Sequence, residues 1–140
     1  MPETVLGAIR RQAREHPDDV AFWTPARTWT FADLDRQSSR VAHGLSSLGI
    51  GRGARVACLT RHTVECVVLT QAACKIGAVC MPVNWRLAPR EVGYIVGDGE
   101  AQLLMADAEF AATAQSAAPP CVRHIVTSVQ IGRASCRERV

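Results

Sequence analysis

Apolar residues recur along this chain with two different periods, and the periods alternate. Over residues 4–15 they fall about a helical turn apart, which predicts an amphipathic helix. Residues 20–24 have strand length before the turn at Pro25, and 28–30 read as extended. Thr30 and Asp33 then form a capping box with aspartate in the usual glutamate place. The helix it opens puts Leu34, Val41, Leu45 and Leu48 on one face, with Asp35, Arg36 and Arg40 elsewhere. Gly49, Gly51 and Gly53 close that helix, and 56–59 is the next strand. The segment 64–76 (VECVVLTQAACKI) is apolar on nearly every face, so a helix buried by its neighbours is expected. Gly77 suits the left-handed conformation that stops such a helix. Residues 78–81 make a short buried strand that Pro82 should end, because proline cannot donate to a sheet ladder. A helix from about Pro89 to 96, a strand at 103–106, a helix at 109–115 and a strand at 125–127 complete the pattern.

Strands alternating with helices imply crossover connections. The expected fold is therefore α/β, a layered domain with a mainly parallel sheet and flanking helices, cut off before completion. Strands 56–59, 79–81 and 103–106 should lie parallel in it. No internal repeat is present.

With 140 residues and 48% hydrophobic content, the chain is one domain at most, with a modest core. No apolar run approaches the ~20 residues of a membrane span. The N-terminus also lacks the apolar stretch of a signal peptide, so a cytoplasmic protein is expected. Lys75 is the only lysine among many arginines, and with abundant alanine this bias suggests a GC-rich bacterial genome. The arginines are scattered, whereas a nucleic-acid partner would want them on one face.

The last ten residues change the charge reading. Residues 131–140 (IGRASCRERV) match, codon by codon, the translation of a common sequencing-adapter oligonucleotide, and are read as a non-native tail. Arg133, Arg137 and Arg139 against Glu138 give that tail +2, so the formal +3 of the chain falls to +1. The tail also removes Cys136 from the cysteine count. Cys58, Cys66, Cys74, Cys80 and Cys121 remain, with no C-x-x-C pair, which argues for free thiols over a disulfide framework. Cys66 and Cys74 are expected to be buried and unpaired.

Candidate chemistry is sparse. Gly49-Ile50-Gly51-Arg52-Gly53 closes a helix and leads into a strand, the reverse of a phosphate loop, so a helix stop and turn is the reading taken. Cys58, His62 and Cys66 have metal-ligand residue types but no local fourth ligand, and Cys58 lies within an apolar strand. A loop histidine between two core cysteines is expected. Asn84, Trp85 and Arg86 sit just past the carboxyl end of a strand, where open α/β sheets place ligands. Asn84 suits a turn, and Arg86 can hold a phosphate or carboxylate through its forked donors. A structural turn is the first reading. A place for Arg86, with Asn84, near a coenzyme or substrate entrance is the second. Trp85 is read as packing.

Three segments carry a family resemblance. Residues 74–87 (CKIGAVCMPVNWRL) resemble the LKxGAVxVPxNxRL element of the adenylate-forming enzymes, the acyl-CoA synthetases and their relatives. Residues 29–34 (WTFADL) resemble that family's xTYxEL opening element, and 45–59 (LSSLGIGRGARVACL) its LxxLGVxxGDRVALL stretch. The departures are mild: Phe31 for tyrosine, Asp33 for glutamate, Ala54 for aspartate and His62 for asparagine.

The resemblance spans roughly residues 4–106 and implies that 1–130 is the N-terminal part of an AMP-dependent synthetase/ligase domain. It implies a parent enzyme that joins a fatty or aromatic carboxylic acid to AMP and then to coenzyme A, using ATP, Mg2+ and coenzyme A. The family's phosphate loop with its lysine, its magnesium carboxylate and its C-terminal lysine all lie further along than this chain reaches. No catalytic residue and no metal ligand is therefore assigned here, and Lys75 stands in the wrong place for either lysine. The chain alone should be an inactive scaffold that binds none of these cofactors. A homodimer of the parent is left open. A peptide-synthetase adenylation domain is the alternative, and a stand-alone α/β binding module is the alternative of another class.

Overall fold

The computed structural model describes residues 4–129. Helix α1 (Val5–Glu15) precedes strands β1 (Val20–Trp23) and β2 (Thr28–Thr30), which pair antiparallel as a separate hairpin. Helix α2 (Phe31–Ser47), strand β3 (Arg55–Leu59), helix α3 (Val64–Lys75) and strand β4 (Val79–Val83) follow. Helix α4 (Pro89–Asp98), strand β5 (Leu103–Ala106), a 3-10 turn (Ala108–Phe110), helix α5 (Ala111–Ala117) and strand β6 (His124–Thr127) complete the described chain. The main sheet has the order β4-β3-β5-β6, and every neighbouring pair in it is parallel. The three strands expected to lie parallel do so.

Alternation along the strands divides the core into two layers. Val56 and Cys58 of β3, with Leu103 and Met105 of β5, face α2 and α3 and meet Leu34, Val41, Leu45, Val68 and Leu69. Ala57 and Leu59, with Leu104 and Ala106, face the other way and meet Val92, Val96 and Ala114 of α4 and α5. Strands covered on both faces need apolar side chains at consecutive positions, which is why they read as unbroken apolar runs. Each fully buried leucine or valine contributes about 1.5–3 kcal/mol relative to exposure.

The capping box forms as expected: the Asp33 amide donates to Thr30 Oγ1 (3.1 Å) and the Thr30 amide to Asp33 Oδ2 (3.3 Å). Gly77 takes φ +72, and a Cβ there would come within 3.3 Å of the Arg52 side chain, so glycine both stops α3 and lets the chain pass. Lys75 ties α3 to α2. Its ammonium donates to the carbonyl and carboxylate of Asp35 and to the Ser39 hydroxyl, at 2.7–2.8 Å.

Several expectations need correction. Pro82 does not end its strand but lies inside β4, opposite Cys58. β4 is an edge strand of the described sheet, where alternate amides point outward and a proline facing that way forfeits no ladder bond. For the same reason β4 is not a buried strand: Val79 is 49% exposed. Cys74 is exposed, and Cys66 is only partly buried. α3 buries Val68, Leu69, Gln71, Ala72 and Ala73, whereas Cys74 shares a stripe with Val67 and Thr70 on the far side. Leu48 follows the last residue of α2 and is 40% exposed, so it leaves the face on which Leu34, Val41 and Leu45 are buried. The helix expected at 109–115 opens as a 3-10 turn and becomes α-helical only at Ala111. The tail proposed at 131–140 lies outside the described residues.

Candidate functional site at the carboxyl end of the sheet

The parallel register brings three strand ends level: Leu59 of β3 is opposite both Val83 of β4 and Ala106 of β5. The loops that follow, beginning at Thr60, Asn84 and Asp107, therefore emerge together at the carboxyl edge. They meet around Trp85. Its ring stacks on Phe110 with centroids 5.9 Å apart and planes at 27°. The guanidinium of Arg61 lies 4.2 Å from the Trp85 centroid and 5.7 Å from that of Phe110, and the guanidinium of Arg86 lies 4.6 Å from Trp85. Arg61 also forms a forked pair with Glu109, Nε to Oε1 at 2.7 Å and Nη2 to Oε2 at 2.9 Å.

The strengths of these contacts differ in kind from their geometry. The Arg61–Glu109 side chains are 51% and 48% exposed, so the pair contributes at most about 1 kcal/mol. Each cation over the tryptophan adds about 0.5–1 kcal/mol at such a site. The forked pair thus orients Arg61 more than it stabilises the fold. Among the described residues no carboxylate pairs with Arg86, whose donors face solvent beside an aromatic ring.

Asp107 fixes the β3 loop from below. Its Oδ2 accepts the Arg61 amide (2.9 Å), and its own amide donates to the Leu59 carbonyl (3.1 Å). Its Oδ1 is buried with no hydrogen-bond partner among the described residues. His62, at φ +59, takes the left-handed conformation, which asparagine and glycine tolerate better than most residues. Its amide donates to Thr60 Oγ1 (3.3 Å).

The residues singled out from sequence fall as follows. Asn84 Oδ1 accepts the Arg86 amide (3.0 Å), a turn held by its own side chain. Arg86 and Trp85 belong to the aromatic cluster. Cys58 and Cys66 come together, with Sγ atoms 3.1 Å apart. His62 is exposed, and among the described residues no three His, Cys, Asp or Glu side chains converge to hold a metal ion. Gly49 to Gly53 close α2 and lead into β3.

Sequence reasoning passed over Arg61, Asp107, Glu109 and Phe110. Two signals were available: Arg61 lies between the β3 run and His62, and Asp107 directly follows the β5 run. A depression of about 450 Å³ lies at the opposite edge, with Arg55, Glu100, Gln102 and Arg123 among its lining residues. That edge carries the amino ends of the strands, Arg55 there is already paired with Glu100 (2.9 Å), and α/β sheets bind ligands at the other one.

A family model described as "AMP-binding enzyme" matches residues 9–139. The chain belongs to the AMP-binding enzymes. The chain is 34% identical over 120 residues to the fatty acid–[acyl-carrier-protein] ligase ScoC of Streptomyces coeruleorubidus, a match covering 84% of the chain and 23% of ScoC. It is 39% identical over 94 residues to a 3-hydroxybenzoate–CoA ligase of Aromatoleum, covering 67% of the chain and 18% of that ligase. Among solved structures, the N-terminal domain of FACL13 from Mycobacterium tuberculosis superposes with a TM-score of 0.86 at 29% identity, covering all of the chain and 38% of that domain's chain. The chain thus spans about a fifth of the length of these curated relatives. The fold is that of part of the N-terminal domain of adenylate-forming enzymes. No described helix is long and apolar enough to cross a membrane.

Proposed function

We propose that this chain is the opening part of an ATP-dependent acid–thiol ligase that acts on a fatty or aromatic carboxylic acid and uses coenzyme A as acceptor. One observation carries the reading: a family match over most of the chain, with relatives named as ligases of a fatty acid and of an aromatic acid. In such a reaction the carboxylate attacks the α-phosphorus of ATP and expels pyrophosphate, after which a thiol displaces AMP from the acyl adenylate.

The described residues do not fit the ATP and magnesium parts of that chemistry. The glycine run at 49–53 closes a helix instead of opening one, and Lys75 is buried against Asp35 and Ser39. No described group of carboxylates converges. The role of this chain is taken to be the wall on which the site is built. Arg86 suits an anionic coenzyme or substrate at the entrance, because its forked donors lie beside the Trp85 ring with no competing carboxylate among the described residues. Asn84 holds the turn that presents it. A cytoplasmic location and the boundary at residue 130 belong to the same proposal. The boundary is checked by re-reading the locus, and a second independent read encoding 131–140 overturns it.

Acid-dependent ATP–pyrophosphate exchange tests the reading, with the 140-residue chain assayed beside the product of the full-length gene. Exchange is expected from the full-length protein with a fatty or aromatic acid, and none above background from the chain alone. Exchange by the chain alone would place the reacting groups within it and overturn the scaffold role. Transfer to a carrier protein, with none to coenzyme A, would overturn the acceptor.

A further inference from the structure

We propose that Cys66 and Cys58 form a hydroperoxide-reactive dithiol, in which Cys66 is oxidised first and Cys58 then closes a disulfide joining α3 to β3. The observation behind it is geometric. The two sulfurs lie 3.1 Å apart, one on a strand end and one on the first turn of the helix that follows. A disulfide needs a separation of about 2.05 Å, so roughly 1 Å of approach remains. Their burial differs in a useful way. Cys58 is 1% exposed, within the core, while Cys66 is only partly buried and more open to a small oxidant.

The surroundings favour a thiolate at Cys66 and a thiol at Cys58. The Cys58 S–H donates to the Cys66 sulfur, and the Thr60 hydroxyl and the nearby His62 act in the same direction. Together they outweigh burial and the nearby Asp107 carboxylate, both of which act the other way, and lower Cys66 to about 6. Cys58 is pushed up by the same hydrogen bond and by burial. A low-lying, reachable thiolate beside a second thiol is the arrangement that oxidises at one sulfur and resolves at the other.

The steps balance as follows. The Cys66 thiolate attacks one oxygen of the hydroperoxide, the O–O bond breaks, and the leaving oxygen takes a proton and departs as water or an alcohol. Cys66 is then a sulfenic acid. The Cys58 sulfur attacks that sulfur, the S–OH bond breaks, the Cys58 proton goes to the departing hydroxide, and water leaves as the disulfide forms. Two electrons pass from the pair of thiols to the peroxide. The bridge closes residues 58–66, which include Thr60, Arg61 and His62 of the carboxyl-edge loop.

The test uses the 140-residue chain treated with hydrogen peroxide, quenched with an alkylating reagent and digested with trypsin without reductant. A Cys74→Ser variant removes the other cysteine from the peptide that carries Cys66. The expected product joins the peptide 56–61 to the peptide 62–75 with the loss of two hydrogens. In Cys58→Ser, Cys66 should stop at the sulfenic acid or go on to the sulfinic acid, with no bridge to 56–61. In urea the 58–66 pairing should fall roughly tenfold in rate, as the juxtaposition and the lowered thiol are lost. A bridge from Cys66 to any other cysteine in the folded wild-type chain overturns the proposal. So does sulfinic acid at Cys66 with Cys58 still a free thiol, or an undiminished 58–66 bridge in urea, since the loop would then close without the fold.

Discussion

The ammonium of Lys75, the only lysine of the chain, sits 2.7 Å from Oδ1 of Asp35 and is 7% exposed, whereas the carboxylate is 37% exposed. The pair is therefore lopsided: one ion is sealed in and its partner still touches water. Removing Asp35 strands a buried charge that keeps, among the described residues, two neutral acceptors, the Asp35 carbonyl and the Ser39 hydroxyl. Removing Lys75 leaves a carboxylate that water can reach. Asp35→Ala is expected to cost about 2–3 kcal/mol and Lys75→Met about 1 kcal/mol or less. Urea denaturation of the two variants checks the order, and a larger loss for Lys75→Met defeats the argument.

His62 holds a left-handed backbone conformation on an exposed loop. Asparagine adopts it with less strain, so His62→Asn should leave stability unchanged or raise it by a few tenths of a kcal/mol. A β-branched residue has no such latitude, and His62→Val should lower stability by about 1–2 kcal/mol. Thermal melts of both variants decide it. Equal stability for Asn and Val would mean the loop relaxes out of this conformation.

Two helical glycines should respond to alanine in opposite directions. A Cβ on Gly44, in α2, meets nothing within 4 Å, whereas one on Gly93, in α4, would lie 2.7 Å from the main-chain oxygen of Ala117 at the end of α5. Gly44→Ala should stabilise by about 0.5–1 kcal/mol through helix propensity. Gly93→Ala must push two helices apart and should destabilise by about 1–3 kcal/mol. Matching shifts of the same sign in denaturant midpoints would contradict the packing described for α4 and α5.

Thiol labelling should separate the cysteines by pH as well as by exposure. Cys74 is exposed and should react first at pH 8. Cys66, lowered to about 6, should be half ionised near that pH and reach its rate plateau well above it but still below the range where an ordinary thiol ionises. Cys80 is raised above the ordinary 9.0, chiefly by burial, so its rate should still be climbing beyond pH 9. Site-resolved alkylation read by mass spectrometry gives the three profiles. A Cys66 profile rising only near pH 9 would remove the influence assigned to Cys58, Thr60 and His62.

How much of this was visible in the sequence depends on how local the cause is. β3 and β5 show themselves because burial on both faces demands consecutive apolar side chains, and Thr30 with Asp33 show themselves because a capping box spans one turn. Pro82 misled because its tolerance inside β4 depends on β4 being an edge, which is set by strand order and not by neighbouring residues. Cys74 misled for a related reason: the helix is apolar all round, but the described chain covers only part of it. The Arg61–Glu109 pair joins residues 48 positions apart, and nothing near either one in the chain signals the other. Asn84 and Arg86 were legible as a turn past a strand end, but the stacking of Trp85, the ring beside Arg86, depends on Phe110, which follows β5 in the chain.

The order β4-β3-β5-β6 also says something about synthesis. β3 leaves the ribosome first of the four, β4 then docks on one side of it, β5 on the other, and β6 beyond β5. At about 5–20 residues per second, each new strand has time to find an edge that already exists. None has to be threaded between two strands that are already paired. The nascent sheet can grow outward from its middle without undoing any hydrogen bond formed before.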